Sequence, residues 1–218
     1  MSKSETESSK AKKPRAENIG DAVTALRRGE VIVFPTETLY GLGADALNPA
    51  AIEKVFQLKG RDPGSPIPVL VADRDMMNAL VAEVPPIAEK LIAGFWPGAL
   101  TIILPARQNI PRPLTNSTGG VGVRISSQAI AAELVQTLGR PLTATSANPS
   151  GKAPARTVEE AKDYFTGQIE IYVDAGALTS KTGSTVIEIG IETARIIRAG
   201  EIDRSDLQQV IGKGKILP

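Results

Sequence analysis

The chain has 218 residues, 42% of them hydrophobic, which suffices for a full core in one α/β domain. It contains no cysteine and no histidine, so disulfides, thiolate chemistry, imidazole bases and nearly every zinc site are excluded. Net charge is +1, yet Lys3, Lys10, Lys12, Lys13 and Arg15 stand against only Glu5 and Glu7 in the first fifteen residues, leaving the remainder at −2. That remainder lacks the strongly positive face of a dedicated nucleic-acid binder. Residues 1–16 read as a disordered polar leader with weak RNA tethering as its one candidate role, and 17–218 as the folded domain. The leader has no apolar core of the kind a signal peptide needs, and no run approaches the ~20 apolar residues of a membrane span. A cytoplasmic protein without membrane contact is expected.

In chain order, Asn18 is a candidate cap for a helix through Ala22, Val23 and Leu26 that ends at Gly29. Val31 to Phe34 reads as a strand. It leads into Pro35-Thr36-Glu37-Thr38-Leu39-Tyr40-Gly41-Leu42-Gly43, either a strand-exit turn with satisfied hydroxyls or the lip of a ligand pocket. Asn48-Pro49 starts a helix that buries Ile52, Val55 and Phe56 and stops at Gly60. Ile67 to Val71 reads as a strand, Asp73 opens a helix through Leu80, and Pro85-Pro86 opens another that reaches Phe95-Trp96-Pro97-Gly98. Leu100 to Leu104 and Val121 to Ile125 are strands on either side of a long loop, Pro105 to Gly120. Ser126-Ser127 reads as the cap of a helix to Leu138, followed by a short strand, Pro141 to Thr145. Thr157 and Glu160 form a capping box for a helix to Phe165. Ile169–Val173, Ser184–Ile189 and Arg195–Ile197 complete the strands, and Asp203 caps a closing helix. The alternation predicts a twisted, mostly mixed or antiparallel open sheet flanked by helices.

Standard nucleotide signatures are missing or misplaced. No Walker motif occurs, and Gly41-Leu42-Gly43-Ala44-Asp45-Ala46, which fits a loose dinucleotide fingerprint with Asp62 downstream, lies too far from both the strand tip and the next helix. What remains is a set of cations and hydroxyls at element ends: Lys59 and Arg61 at a helix exit, Arg124, Ser146-x-Asn148-x-Ser150-Gly151, Ser184 and Arg198. Each has an ordinary explanation alone, such as a helix-terminal cation or a polar turn. Together they suit a polyphosphate, because charge-assisted arginine–phosphate bonds belong to the strong class.

Pro35-Thr36-Glu37-Thr38-x-Tyr40-Gly41-Leu42, Lys59-x-Arg61, Ser146-x-Asn148-x-Ser150-Gly151, Ser184-Thr185-Val186 and Arg198-x-Gly200, in this order, resemble the YrdC-like family of L-threonylcarbamoyladenylate synthases from about Ile19 to Asp203. Longer members append a second domain, and a chain stopping at Pro218 is expected to be the single-domain form. The resemblance implies the YrdC-like fold and a reaction of ATP, L-threonine and bicarbonate that gives threonylcarbamoyl-AMP and pyrophosphate. The product would feed N6-threonylcarbamoylation of tRNA through partner transferase proteins, with Mg²⁺ arriving on ATP and no dedicated protein metal site.

It further implies that Lys59 and Arg61 are catalytic and that Lys59, Arg61, Ser65, Gly120, Ser146, Asn148, Pro154 and Arg198 hold ATP. Thr38, Leu70, Arg124, Ala144 and Ser184 would hold threonine, with Tyr40 as a wall. Two positions depart from the family pattern: Leu70 stands where some relatives carry a histidine near the threonine, and Asp62 where many carry a proline beside the cations. An RNA-binding module without turnover is the alternative from another class. The carbamoyl-transfer domain of hydrogenase maturation proteins is a second rival, weakened by the lack of cysteine.

Overall fold

The computed structural model describes residues 17–62 and 64–217, so the leader lies outside the described residues. Seven helices surround two sheets among these residues. Helix α1 (Glu17–Arg27) turns Ala22, Val23 and Leu26 inward. They pack with Ile130, Leu134 and Val135 of α5 (Ala129–Leu138) around Ile32 and Phe34 of β1 (Ile32–Pro35). Each of the larger side chains, Ala22 excepted, contributes roughly 1.5–3 kcal/mol over its exposed state. Because α1 begins at Glu17, Asn18 lies within the first turn rather than at the cap.

The other cap expectations divide. Asn48 accepts from the amides of Ala50 and Ala51 at the start of α2 (Pro49–Lys59), and Gly60 ends that helix at φ 54°, a left-handed conformation suited to glycine. Asp73 and Thr157 cap α3 (Arg74–Leu80) and α6 (Val158–Phe165) through the amides of Met76 and Glu160. Asp203 precedes α7 (Arg204–Ile211) without a side-chain cap bond. The cap of α5 is Gln128, not Ser126-Ser127, and the Ser126 hydroxyl is used elsewhere. Helix α4 (Pro86–Phe95) starts at the proline pair as expected.

The larger sheet has seven strands in the order β10-β9-β8-β4-β5-β3-β6. It is built from β3 (Val69–Leu70), β4 (Leu100–Pro105), β5 (Gly120–Arg124), β6 (Leu142–Thr143), β8 (Thr185–Ile189), β9 (Ala194–Arg198) and β10 (Ile216–Leu217). Its pairings mix parallel and antiparallel, as the sequence pattern suggested. A second, antiparallel sheet joins β1, β2 (Tyr40–Gly43) and β7 (Thr145–Ser146).

Five expectations need correction. Residues 40–43 are a strand pairing with β1, not part of a turn, because Gly41 and Gly43 let the Phe34 ring lie against the backbone. A Cβ on Gly43 would come within 2.9 Å of that ring. The stretch 141–145 is split, since Ala144 carries the chain from β6 in one sheet to β7 in the other. Residues 169–173 form only a bridge at Tyr172, fastened by the Val33 amide to Ile171 O and the Val173 amide to Val33 O. The span 67–71 narrows to two paired residues, and the 105–120 loop contains a short 3-10 turn, Arg112–Leu114.

Candidate active site at the seam of two sheets

A cavity of about 480 Å³ opens where the two sheets meet, within the roughly 300–1,000 Å³ usual for small-molecule sites. The β1–β2 connection supplies Thr36 and Thr38. The Thr36 hydroxyl donates to Leu39 O at 2.7 Å, accepts from the amides of Thr38 and Leu39, and lies 3.1 Å from the Thr38 hydroxyl. This hydroxyl-closed turn holds Thr38 at the cavity wall. Tyr40 also lines the cavity, while its hydroxyl donates to Gly176 O at 2.8 Å and accepts from the Ala175 amide at 2.9 Å. Burial pushes its phenol well above the ordinary range, so it stays protonated.

Arg124, at the end of β5, is 5% exposed and lines the same cavity. Its Nη1 donates to Glu37 Oε1, and Glu37 Oε2 accepts from the Ser126 hydroxyl. Across the cavity Ser184 faces Thr101 of β4, with their hydroxyls 2.9 Å apart. Arg198, from β9, donates through Nη2 to Ser184 O at 2.8 Å and to Ser184 Oγ at 3.0 Å. Gly200 permits that approach, because a Cβ there would lie 2.3 Å from Gly183 O. Arg61 donates to Thr145 Oγ1 at 3.3 Å and to Pro66 O at 3.2 Å.

Of the residues expected at the site, Thr38, Arg61, Ser65, Gly120, Arg124, Ala144, Ser146, Pro154, Ser184 and Arg198 all line this cavity. Three do not. Leu70 points into the α1–α5 core beside Phe34 and Ile130, on the opposite face of its strand. Lys59 turns its ammonium onto Ser146 O at 2.6 Å and Asn148 O at 2.8 Å, tying α2 to the segment after β7. Asn148 spends its amide nitrogen on Pro149 O and Lys152 O, while its Oδ1 is buried without a partner. Asp62 caps its own turn by accepting from the Gly64 amide at 2.8 Å.

Glu37 stands within the Pro35–Leu42 motif without an expected role, and Ser126, Thr101 and Asn116 join the site from outside the set expected from sequence. Asn116 lines the cavity, accepts from the Gly120 amide at 2.7 Å and donates to Glu188 at 2.8 Å. Only the long-range pairing of β4 with β5 and β8 brings these residues together, and no local pattern marks them.

Three arginines thus line the cavity, with Lys59 and Glu37 held behind its wall on Ser146 and Arg124. Burial lowers the pKa of Arg61, and it lowers that of Arg198 together with the nearby charges of Arg124 and Arg61. Arg124 is lowered by burial and pulled back by Glu37. Lys59 is brought down to about 8, first by burial and then by Arg61. Such a cluster is poised for an anion.

One pH effect follows from Lys59. Inorganic tripolyphosphate is expected to bind several-fold more weakly as pH rises through about 8, because Lys59 loses its charge there while the arginines keep theirs. The free energy of folding changes in the opposite sense. Between about 8 and the ordinary lysine value of roughly 10.4 the unfolded chain binds a proton that the folded chain has released, so this group adds stability as pH rises. Calorimetric titration and denaturant melts at about pH 7 and about pH 9.5 check both signs.

Residues 24–200 match the Sua5/YciO/YrdC family, whose description reads telomere recombination. Threonylcarbamoyl-AMP synthase of Pyrococcus abyssi is 36% identical over 193 residues, 88% of this chain and 57% of that protein. The chain therefore spans little more than half of that relative's length. The protein of the same name from Thiobacillus denitrificans is 38% identical over 175 residues, 80% of this chain and 91% of that protein. Among solved structures, P. abyssi Sua5 complexed with L-threonine superposes with a TM-score of 0.87 at 36% identity, covering 92% of this chain and 59% of the other. By sequence and by fold, the chain belongs to the Sua5/YciO/YrdC family.

Proposed function

We propose that this protein condenses L-threonine, bicarbonate and ATP into threonylcarbamoyl-AMP, with release of pyrophosphate. The observation that carries the reading is the convergence of three guanidiniums, the buried Arg124 and the more accessible Arg61 and Arg198, with the Thr38 and Ser184 hydroxyls in one cavity. Relatives at 36–38% identity bear the name of this activity, and one was solved with L-threonine bound.

The chemistry suits a chain without histidine or cysteine. The threonine amine, once neutral, adds to the carbon of CO2 formed by dehydration of bicarbonate, and loss of one N–H proton leaves a carbamate. A carbamate oxygen then attacks the α-phosphorus, a new P–O bond forms, and the bond to the β-phosphate oxygen breaks to free pyrophosphate. The nucleophile is already anionic, so the site needs placement and cations to absorb charge on the leaving group, rather than an imidazole base.

In this reading Arg124 takes the threonine carboxylate with its unpaired N–H groups, Thr38 and Ser184 take the amino acid's polar groups, and Ala144 contributes backbone. Arg61 and Arg198 take the phosphates, with Ser65, Gly120, Ser146 and Pro154 around the rest of the nucleotide. Lys59 holds the 146–148 segment and adds a nearby positive charge. Magnesium enters with ATP, since the named lining side chains include no carboxylate and the phosphates themselves are the better ligands. The product would pass to tRNA threonylcarbamoyl-transferase proteins.

Purified protein supplied with MgATP is expected to release pyrophosphate only when both L-threonine and bicarbonate are present. Equal release without threonine would overturn the reading. RNA binding without any turnover would move the protein to a different class.

A further inference from the structure

We propose that Glu37 is a specificity-determining residue, which keeps the amino-acid end of the cavity electroneutral so that this end takes a zwitterion rather than an anion. The proposal rests on the function just given and assigns Glu37 a part in it. Charge is unevenly shared between the two ends. Arg61, Arg198 and Lys59 make no ion pair among the described residues, and their hydrogen bonds go to carbonyls and hydroxyls. Arg124 alone is paired, with Glu37, and both partners are largely buried at 6% and 14% side-chain exposure.

Such a division sorts ligands by net charge. An unpaired cationic end favours a polyanion, and a neutralised end does not gain by taking a second one. A free amino acid, however, brings a carboxylate and an ammonium together. The carboxylate can use the Arg124 N–H groups not committed to Glu37, since only Nη1 makes a hydrogen bond among the described residues. The ammonium meets a local field that Glu37 has made less positive. Glu37 also keeps acceptor capacity, because each of its oxygens receives one hydrogen bond where a carboxylate offers about four lone-pair positions.

Ser126 belongs to the same device. Its hydroxyl fixes Oε2 while Arg124 fixes Oε1, so the carboxylate is held from two sides. Without Glu37 the amino-acid end would carry an unopposed guanidinium facing Arg198, whose own pKa already feels Arg124. That end would then compete for phosphate and for any simple carboxylate.

The test compares L-threonine with (R)-3-hydroxybutanoate, which keeps the carboxylate and hydroxyl and lacks only the amine. Calorimetry on the full chain measures both affinities in the wild type and in Glu37→Gln. The wild type is expected to prefer L-threonine by at least about tenfold, and Glu37→Gln to lose about tenfold of that preference, the scale of one charge-assisted contact. A role limited to holding Arg124 in place would weaken both ligands together and leave the ratio unchanged. An unchanged ratio in folded Glu37→Gln therefore overturns the proposal, as does a wild type that binds both equally. Should Glu37→Gln not fold, Ser126→Ala keeps both charges and releases only one carboxylate oxygen; its preference is expected to stay within about threefold of the wild type, the scale of one ordinary hydrogen bond, and loss of the full tenfold there would assign the preference to hydrogen-bond geometry and overturn the proposal. A wild type that binds neither compound, or whose ATP turnover ignores threonine, overturns the parent function instead.

Discussion

Arg124→Ala is expected to lower kcat/KM for L-threonine by a factor on the order of 10² to 10³, the range for losing one member of a buried charged contact. It should also destabilise the fold by about 3–5 kcal/mol, because the variant leaves Glu37 buried without its counter-ion. The two losses have different origins and can be separated. In the double variant Glu37→Gln/Arg124→Ala no charge is left uncompensated, so most of the stability should return while threonine turnover does not. Denaturant unfolding and steady-state kinetics on the three proteins check this. A double variant as unstable as Arg124→Ala would assign the cost to lost packing instead.

Arg61→Ala is expected to act on the other substrate and with the opposite sign on stability. It should lower kcat/KM for ATP about 10²-fold or more while leaving the affinity for L-threonine within about threefold. Arg61 has no carboxylate partner among the described residues, and its positive charge lies near Arg198 and Lys59. Removing it relieves repulsion in the ligand-free protein, so its Tm should be equal to or higher than that of the wild type. Addition of ATP should then raise the Tm of the wild type more than that of the variant, since only the wild type gains the full binding energy. Thermal melts with and without MgATP give both comparisons. A marked fall in Tm without ligand would mean that the bonds to Thr145 and Pro66 outweigh the charge term.

These contrasts show which parts of the molecule a sequence can reveal. Helices α2, α3, α4 and α6 were legible because caps and prolines are local chemistry: Asn48, Asp73, Pro85-Pro86 and Thr157 act within a few residues of themselves. Strand β2 was not, because Gly41 and Gly43 look like turn residues until the Phe34 ring is placed against them. The segment 169–173 has the composition of a strand, and whether it becomes one depends on a partner edge that only Val33 offers. The two-residue β10 carries too short a signal to read.

The site was legible at the level of motifs and less so at the level of contacts. The resemblance brought together Arg61, Arg124, Ser184 and Arg198, which do converge. It could not tell on which face of β3 Leu70 lies, because adjacent Val69 and Leu70 are both buried, one in each core cluster. Nor could it show that Lys59 would turn its ammonium to two carbonyls. Glu37 stood in plain view between two threonines, but its role depends on Arg124 and Ser126, nearly ninety residues away.

The passage from β6 to β7 has a consequence for how this chain tolerates changes in length. One residue, Ala144, separates Thr143 in the larger sheet from Thr145 in the smaller, and its amide is fixed to Pro68 O at 2.8 Å. A loop such as 105–120 can gain residues at a cost that grows only slowly with length. Between Thr143 and Thr145 there is no slack to absorb an insertion. A single added residue would shift Ser146 out of register with Gly41, and with it the carbonyl that Lys59 holds. The covalent chain itself is therefore the gauge that sets the width of the cavity at this seam.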